Sequence, residues 1–451
     1  MSEAFDLIVI GAGNAGMAAA AAGRSAGWSV AVIEEDLLGG TCPNRGCVPK
    51  KVLVGVAEVV DHVRRARGHG VTGEVSIDWA ALQSARHAVV DELPARMASS
   101  LERQGATVIR GTARFTGRHM IAIGDRELTA RKVVIATGSM PRPLGIVGED
   151  RLVTSTEVLA LERVPSTAVF VGAGVVAFEL AHVLARAGCQ RITLLEATPQ
   201  PLPRADGDAI AALVAYGKTL GITVETGALV SAIDREASGQ LTVHYTRGGA
   251  EHHVTAELAI NGAGRIPQID RLDLPRANIT VEHGRVAHAP DLRLRDHADV
   301  AIVGDAAGDL PQLSPLATSL GRLAANNLIH HRHDAPELGF VPSCLFTIPT
   351  LAQVGLTEAE ARARGVNVHV QRTDGMTGWI SSRTHHEELA FAKVLIDDAG
   401  QIVGAHLIGH GSDANIHLIA LAMRHGIRAT ELAELDTAYP TAAADLRYLL
   451  A

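Results

Sequence analysis

Two of the chain's four cysteines stand five residues apart in Gly39-Gly40-Thr41-Cys42-Pro43-Asn44-Arg45-Gly46-Cys47-Val48-Pro49-Lys50-Lys51. A thiol pair so spaced can cycle between dithiol and disulfide, which makes it a candidate redox site. An ideal helix separates residues i and i+5 by about 7.5 Å along its axis, beyond the usual Cα separation across a disulfide. The pair is therefore expected on a distorted or pre-helical turn, with Gly46 supplying the freedom. Pro49 suits a first helical position, which would set Cys47 beside the positive end of a helix, where a thiolate is favoured. The alternatives are a static staple or half of a zinc site, but zinc would want a second Cys or His pair at matching spacing and none is evident. Only five of the 41 basic residues are lysines, and Lys50 and Lys51 are two of those five.

The elements in front of the cysteines read as a dinucleotide-binding βαβ unit. An apolar strand, Leu7 to Ile10, runs into Gly11-Ala12-Gly13-Asn14-Ala15-Gly16 and an Ala-rich helix; a second strand, Ser29 to Ile33, ends on Glu34, 23 residues after the first glycine. GxGxxG alone is weak, but strand, glycines, helix, strand and closing acid together describe a turn that cradles a pyrophosphate and a carboxylate that takes up ribose hydroxyls. A second copy runs from Ala168 through Gly172-Ala173-Gly174-Val175 to Ile192-Thr193-Leu194-Leu195-Glu196. Two dinucleotides are expected, against the alternative of one site and one decayed repeat. Glu196 would bond a free 2′-hydroxyl and repel a 2′-phosphate, and Ala197-Thr198-Pro199-Gln200 brings no arginine, so NADH is expected over NADPH. Arg204 is the nearest cation after that strand.

Composition sets the outer bounds. With 451 residues, 47% of them apolar, and no run of about 18 apolar residues, the chain is expected to fold into several soluble domains. The opening Phe5-Asp6-Leu7-Ile8-Val9-Ile10 reads as a buried strand rather than an export signal, and four cysteines make no extracellular framework, so a cytoplasmic protein is expected. A net charge of −8 without a basic block argues against nucleic acid and anionic membranes.

On these residues the chain resembles the class I pyridine nucleotide-disulfide oxidoreductases, the family of glutathione reductase, dihydrolipoamide dehydrogenase and mercuric reductase, over nearly its whole length. Ile135-Ala136-Thr137-Gly138-Ser139 resembles the strand and turn closing the first FAD segment, Gly262-Ala263-Gly264-Arg265-Ile266-Pro267 the return crossing, and Val300-Ala301-Ile302-Val303-Gly304-Asp305-Ala306-Ala307 the second FAD segment. The resemblance implies an α/β fold with two Rossmann-like dinucleotide-binding domains, for FAD and NAD(P), and an α+β C-terminal dimerisation domain. The inferred limits are 1–148 and 266–331 for the FAD-binding and central part, 149–265 for the NAD(P) domain and 338–451 for the dimerisation domain. Cofactor contacts are implied for Gly11, Gly13, Gly16, Glu34, Gly40, Thr41, Lys51, Ala136, Thr137, Gly138, Gly304 and Asp305 on the FAD side, and for Gly172, Gly174, Val175, Glu179, Glu196, Gly264 and Arg265 around NAD(H) and the crossing. Cys47 would be the flavin-facing thiolate, Cys42 the thiol that attacks a substrate disulfide, Lys51 a cation at the flavin's reactive edge with Glu179 as ion-pair partner, and Val175 the gate of the nicotinamide pocket. The partner is a small or protein disulfide, and the protein a homodimer whose active sites are completed by the other chain's C-terminal segment.

The chain departs from that family where proton transfer is decided. The family's His-Pro-Thr segment, with a glutamate five residues after the histidine, is replaced by Ala438-Tyr439-Pro440-Thr441-Ala442-Ala443-Ala444-Asp445. A phenol, with a reference pKa near 10, donates protons but is a poor base at neutral pH. Asp445, one residue late, reads as a surface cap. Three readings follow: an NADH-dependent disulfide oxidoreductase using Tyr439 as proton donor; a flavin-dependent reductase of a metal ion, quinone or oxygen; and a flavoprotein kept as a binding or sensing dimer. Cys189 and Cys344 read as small buried residues. No metal site is expected, because the adjacent pairs among the 21 histidines (His252-His253, His330-His331, His385-His386) point to different sides of their elements. His406, His410 and His417 are candidates for a substitute base.

Overall fold

The computed structural model describes residues 3–450. It divides into two compact units: the chain up to Lys51 with Ser84–Arg142 and Arg265–Pro336, and Val52–Gln83 with Pro143–Gly264 and everything from Glu337 onward. The partition differs from the expected one because residues 52–83, on the early side of the sequence, group with the second unit.

The first unit is built on a seven-stranded sheet. Strands Thr107–Arg110, Val30–Glu34, Glu3–Ile10 and Arg126–Ile135 lie side by side in that order, all parallel, with Val300–Ile302 parallel to the last. Ala113–Gly117 and Met120–Ile123 continue the sheet as an antiparallel meander. The runs Leu7–Ile10, Val30–Ile33 and Val133–Ile135 within the parallel strands are apolar, and Leu7, Ile8 and Val9 are fully buried, as expected where both faces of a sheet are covered. Each such side chain contributes roughly 1.5–3 kcal/mol by leaving water. The core joins Phe5, Ile8, Ile33, Phe115, Val133, Leu274 and Ile302. Helices Asn14–Ser25 and Ser314–His330 pack against each other so closely that a Cβ on Gly321 would fall 2.0 Å from the Ala15 carbonyl oxygen. Only glycine permits that contact, which sets the first turn of one helix against the middle of the other.

The second unit carries a four-stranded parallel sheet in the order Ile222–Thr226, Arg191–Glu196, Thr167–Val171, Leu258–Asn261, and a three-stranded antiparallel sheet, Leu229–Arg235, Leu241–Arg247 and Ala250–Ala256. Its C-terminal part is a five-stranded antiparallel sheet, ordered Ser343–Leu345, Leu351–Gly355, Ile402–Ile408, Phe391–Asp397, Val368–Thr373, with helix Ser412–Arg424 against it. Val354, Val394, Leu407, Ile416 and Ile419 form the core of that part. Among the described residues no helix is long and apolar enough to cross a membrane.

Candidate redox site

The two glycine turns share one geometry. Gly11 and Gly172 both have φ of +101°, and a Cβ would stand 2.4 Å from the Ala136 carbonyl oxygen at the first and 2.4 Å from the Gly262 carbonyl oxygen at the second. Both facts demand glycine. Each turn leads straight into a helix, Asn14–Ser25 or Val175–Arg186, whose first amides and positive end suit an anionic group. A Cβ on Gly13 would meet nothing within 4 Å, so the mouth of the first turn is open.

The closing acids are part of those turns. The Ala12 amide donates to Glu34 Oε2 at 2.8 Å and the Asp36 amide to Oε1 at 2.9 Å. The Ala173 amide donates to Glu196 Oε2 at 2.9 Å and the Thr198 amide to Oε1 at 2.9 Å. Each carboxylate is thereby fixed in orientation, with lone pairs left for further donors.

Strand Ser139–Pro141 pairs antiparallel with Arg265–Pro267, and across this crossing Arg265 Nε donates to Ser139 Oγ at 2.8 Å while that hydroxyl donates to Asp305 Oδ2 at 2.8 Å. Ser139 was not singled out from the sequence; a polar residue after an apolar strand and a Thr-Gly turn was its signal. Gly304 and Asp305 open the short turn Gly304–Ala307, and Ala136 packs under Gly11. Thr137 Oγ1 is buried with no hydrogen-bond partner among the described residues.

Cys42 lies in the short helix Thr41–Arg45, whose cap Gly40 has φ of +67°, and Cys47 opens the helix Cys47–Ala66, so the pair straddles a break as expected. The required freedom at Gly46 is a close approach, since a Cβ there would sit 2.9 Å from the Thr41 carbonyl oxygen. Asn44, buried, ties the segment down by donating to the Leu38 and Gly40 carbonyls at 3.1 and 2.8 Å. The two thiols hydrogen bond each other, which pulls Cys42 down to about 6, helped by hydrogen bonds from Ser314 and Asn14 against burial. Cys47 is pushed up, first by that shared bond and then by burial. Lys51 is exposed in the same helix. Glu179 is buried and accepts the Phe346 amide at 2.9 Å. Val175, at the start of its helix, is 52% exposed.

At the C-terminal end Tyr439 is 73% exposed and joined to Pro440 by a cis peptide bond. Asp445 is not a surface cap. It is buried and accepts the Ser381 hydroxyl, and burial pushes its carboxyl up. His406 is buried with Nε2 against the Leu356 carbonyl at 3.1 Å, which removes it as a base. His410 precedes the helix Ser412–Arg424, from which Asn415 Nδ2 donates to the Ala442 carbonyl at 2.9 Å; its ring stacks on His385 at 3.6 Å and burial holds its pKa below the usual value. His386 turns instead to His69, at 3.8 Å. Cys189 is buried as expected, but Cys344 is only half-buried. Among the described residues no group of three or more His, Cys, Asp or Glu could hold a metal ion.

Two glycine turns closed by oriented acids and a cysteine pair at a helix start define a flavoprotein-type dinucleotide oxidoreductase. Residues 5–321 match the pyridine nucleotide-disulphide oxidoreductase family model and residues 341–449 that family's dimerisation domain; the chain belongs to this family, whose members are FAD-dependent enzymes using NAD(P)H. It is 30% identical to the dihydrolipoyl dehydrogenase of Mycoplasma pneumoniae over 450 residues, spanning 97% of this chain and 96% of that protein. It is 30% identical to the dihydrolipoyl dehydrogenase of Chlorobaculum tepidum, over 99% of this chain and 96% of that one. Among solved structures it is similar to the HOCl-induced flavoprotein disulfide reductase RclA from Escherichia coli, with a TM-score of 0.87 at 25% identity and 99% of each chain covered. The Cu(II) complex of RclA matches with a TM-score of 0.88 at 25% identity, covering 100% of this chain and 99% of that one. The residues fit FAD: the open mouth at Gly13, the orphaned buried hydroxyl of Thr137 and the fixed carboxylate of Glu34 are what a pyrophosphate and a hydroxylated chain would engage.

Proposed function

We propose that the protein is an NADH-dependent disulfide oxidoreductase that works through the Cys42–Cys47 pair. The observation that supports it most is the pair itself, set across the break between the helices Thr41–Arg45 and Cys47–Ala66 in the unit that holds the first glycine turn. Gly11, Gly13, Gly16, Glu34, Gly40, Thr41, Lys51, Ala136, Thr137, Gly138, Gly304 and Asp305 would hold FAD, and Gly172, Gly174, Val175, Glu179, Glu196, Gly264 and Arg265 would serve NADH and the crossing. FAD would supply the conversion of a hydride into an electron pair for the disulfide.

The rest is thiol chemistry. The Cys42 thiolate attacks one sulfur of R–S–S–R, forming a mixed disulfide and releasing RS⁻, which takes up a proton. Cys47, once deprotonated, attacks the Cys42 sulfur, closes the intrachain disulfide and releases the second RS⁻. Per turnover NADH, one proton and R–S–S–R give NAD⁺ and two R–SH. Tyr439, in a homodimer completed in trans, would donate a proton to the leaving thiolate and not act as a base. Anaerobic titration with NADH tests the reading: a broad long-wavelength absorption band after one equivalent is expected, and bleaching of the flavin without that band would disconnect the cysteines.

A second reading has specific support. RclA was solved as a Cu(II) complex, and the loss of the histidine base at position 439 matters less for an acceptor that takes no proton. Thiolates are soft donors suited to copper. NADH oxidation by Cu(II) that exceeds oxidation by every disulfide tried, and that disappears in C42S, would favour it.

A further inference from the structure

The segment that carries Tyr439 is pinned at its base while its tip stands in solvent. Tyr439 is 73% exposed, whereas Asp445, six residues on, is buried and accepts the hydroxyl of Ser381, itself buried in the short helix Ile380–Thr384. Between them Asn415 Nδ2, buried on helix Ser412–Arg424, donates to the Ala442 carbonyl at 2.9 Å. Gly411, at a φ of +69°, lies so close to Ala442 that a Cβ there would meet the Ala442 Cβ at 2.6 Å. Two bonds stiffen the turn from inside: Thr441 Oγ1 donates to the Ala438 carbonyl at 2.6 Å, and the Ala444 amide to the Thr441 carbonyl at 3.0 Å. Past Asp445 the chain enters helix Leu446–Leu449, with Leu446, Leu449 and Leu450 in the core of the C-terminal part. A buried carboxylate without a donor is costly, so the Ser381 bond fixes Asp445 where it lies. Ala444 is buried and has no polar group to hold the side chain at 439, so the phenol takes its place from the backbone that carries it.

We infer that Ser381, Asp445 and Asn415 are positioning residues that hold the Tyr439 segment in place for proton transfer to the leaving thiolate. The acid of this segment serves the backbone from inside the fold, instead of serving the side chain at 439 from beside it. In the step it supports, the Tyr439 O–H bond breaks and an S–H bond forms on RS⁻; the phenolate then regains a proton from water. All three residues act through Tyr439. The inference rests on the disulfide reading with completion in trans, and adds which residues set the donor's position. A proton donor works only within hydrogen-bond reach of its acceptor, so the loss of one anchor is read in turnover.

The test uses the FAD-containing protein. NADH oxidation by bis(hydroxyethyl) disulfide, whose leaving alkyl thiolate needs a proton, is compared with NADH oxidation by ferricyanide, which takes electrons and no proton. S381A and N415A are expected to lower kcat with the disulfide by about tenfold while leaving the KM for NADH and the ferricyanide rate unchanged. S381T, which keeps the hydroxyl, is expected to stay within about twofold of wild type. Y439F is expected to lower the disulfide rate at least as far, and S381A or N415A added to it to change nothing further. Equal losses with and without Tyr439, a parallel fall in the ferricyanide rate, a Y439F rate equal to wild type, or no loss in S381A would each overturn the inference. Hydrogen–deuterium exchange reads the anchor without any acceptor: a rise of about tenfold confined to residues 438–446 is expected in S381A and N415A. Unchanged exchange, or a rise spread evenly over residues 338–450, would also overturn it. Should S381A not fold, N415A, alone and with Y439F, decides by the same readings. Failure of the disulfide reading would show elsewhere, as an NADH titration without the long-wavelength band, with the exchange result unaffected.

Discussion

Glu196 Oε2 accepts the Ala173 amide at 2.9 Å, so the acid that closes the second βαβ unit is locked to the glycine turn it serves. A carboxylate held this way cannot swing aside for a 2′-phosphate. Wild-type kcat/KM is expected to favour NADH over NADPH by at least about tenfold, and Glu196→Gln, which keeps the shape and removes the charge, to narrow that ratio by about tenfold. Steady-state kinetics with both coenzymes check it; equal or better use of NADPH by wild type would sink the assignment.

Gly11 and Gly13 stand two residues apart and predict different failures. A Cβ on Gly11 collides with the Ala136 carbonyl at 2.4 Å, at a φ of +101°, whereas one on Gly13 meets no protein atom within 4 Å. Gly11→Ala is expected to lower thermal stability and flavin content together. Gly13→Ala is expected to leave the thermal stability of the flavin-free protein unchanged but to weaken FAD binding by about tenfold or more, because the added methyl occupies the mouth where a pyrophosphate would lie. Thermal unfolding of the stripped proteins and flavin titration separate the two.

The parts of this molecule legible in the sequence are those whose geometry is local. A strand, a positive-φ glycine and a helix start are consecutive in the chain, so the turns at Gly11 and Gly172 could be read directly, as could the break between Cys42 and Cys47. What escaped depends on residues far apart. Ser314 is 267 positions from Cys47, and nothing in a single sequence says that Gly321 lets its helix close upon Ala15. Asp445 misled for the same reason: a lone carboxylate six residues after Tyr439 reads as exposed, and its buried partner, Ser381, lies 64 residues away. Ser139 relays Arg265 to Asp305 from three separate segments.

Tyr439 is 73% exposed, and Ala444 occupies the place five residues on. A phenol is a poor base at neutral pH for the proton that Cys47 must lose before it closes the intrachain disulfide, so turnover with ordinary small disulfides is expected to be slow. The double change Tyr439→His with Ala444→Glu is expected to raise that rate by about ten- to a hundredfold at pH 7, within the range that a placed general acid–base contributes. Tyr439→His should act most strongly between pH 6 and 8, where imidazole titrates. A rate unchanged by both substitutions would mean that proton transfer does not limit the reaction.

Glu387 is expected to give the second unit a pH-dependent stability. Its Oε1 is 3.1 Å from Arg65 Nη1, and Arg65 Nε and Arg186 Nη2 each reach Asp61 at 2.9 Å. Burial pushes the Glu387 carboxyl up to about 7 from an ordinary 4.5, with Asp61 and Glu388 adding to burial and Arg65 opposing it. A raised carboxyl favours the protonated form in the folded state, so its contribution is fully present below pH 4.5 and is lost as pH rises through 7. The loss is at most about 3 kcal/mol. Wild type should therefore unfold at progressively lower temperature between pH 5 and pH 8, while Glu387→Gln, which keeps an acceptor for Arg65 without titrating, should be flatter. The unfolding temperature of the variant minus that of wild type is expected to become more positive over this range. A difference that stays constant from pH 5 to pH 8 would show that Glu387 is ionised throughout, held by Arg65 against its burial.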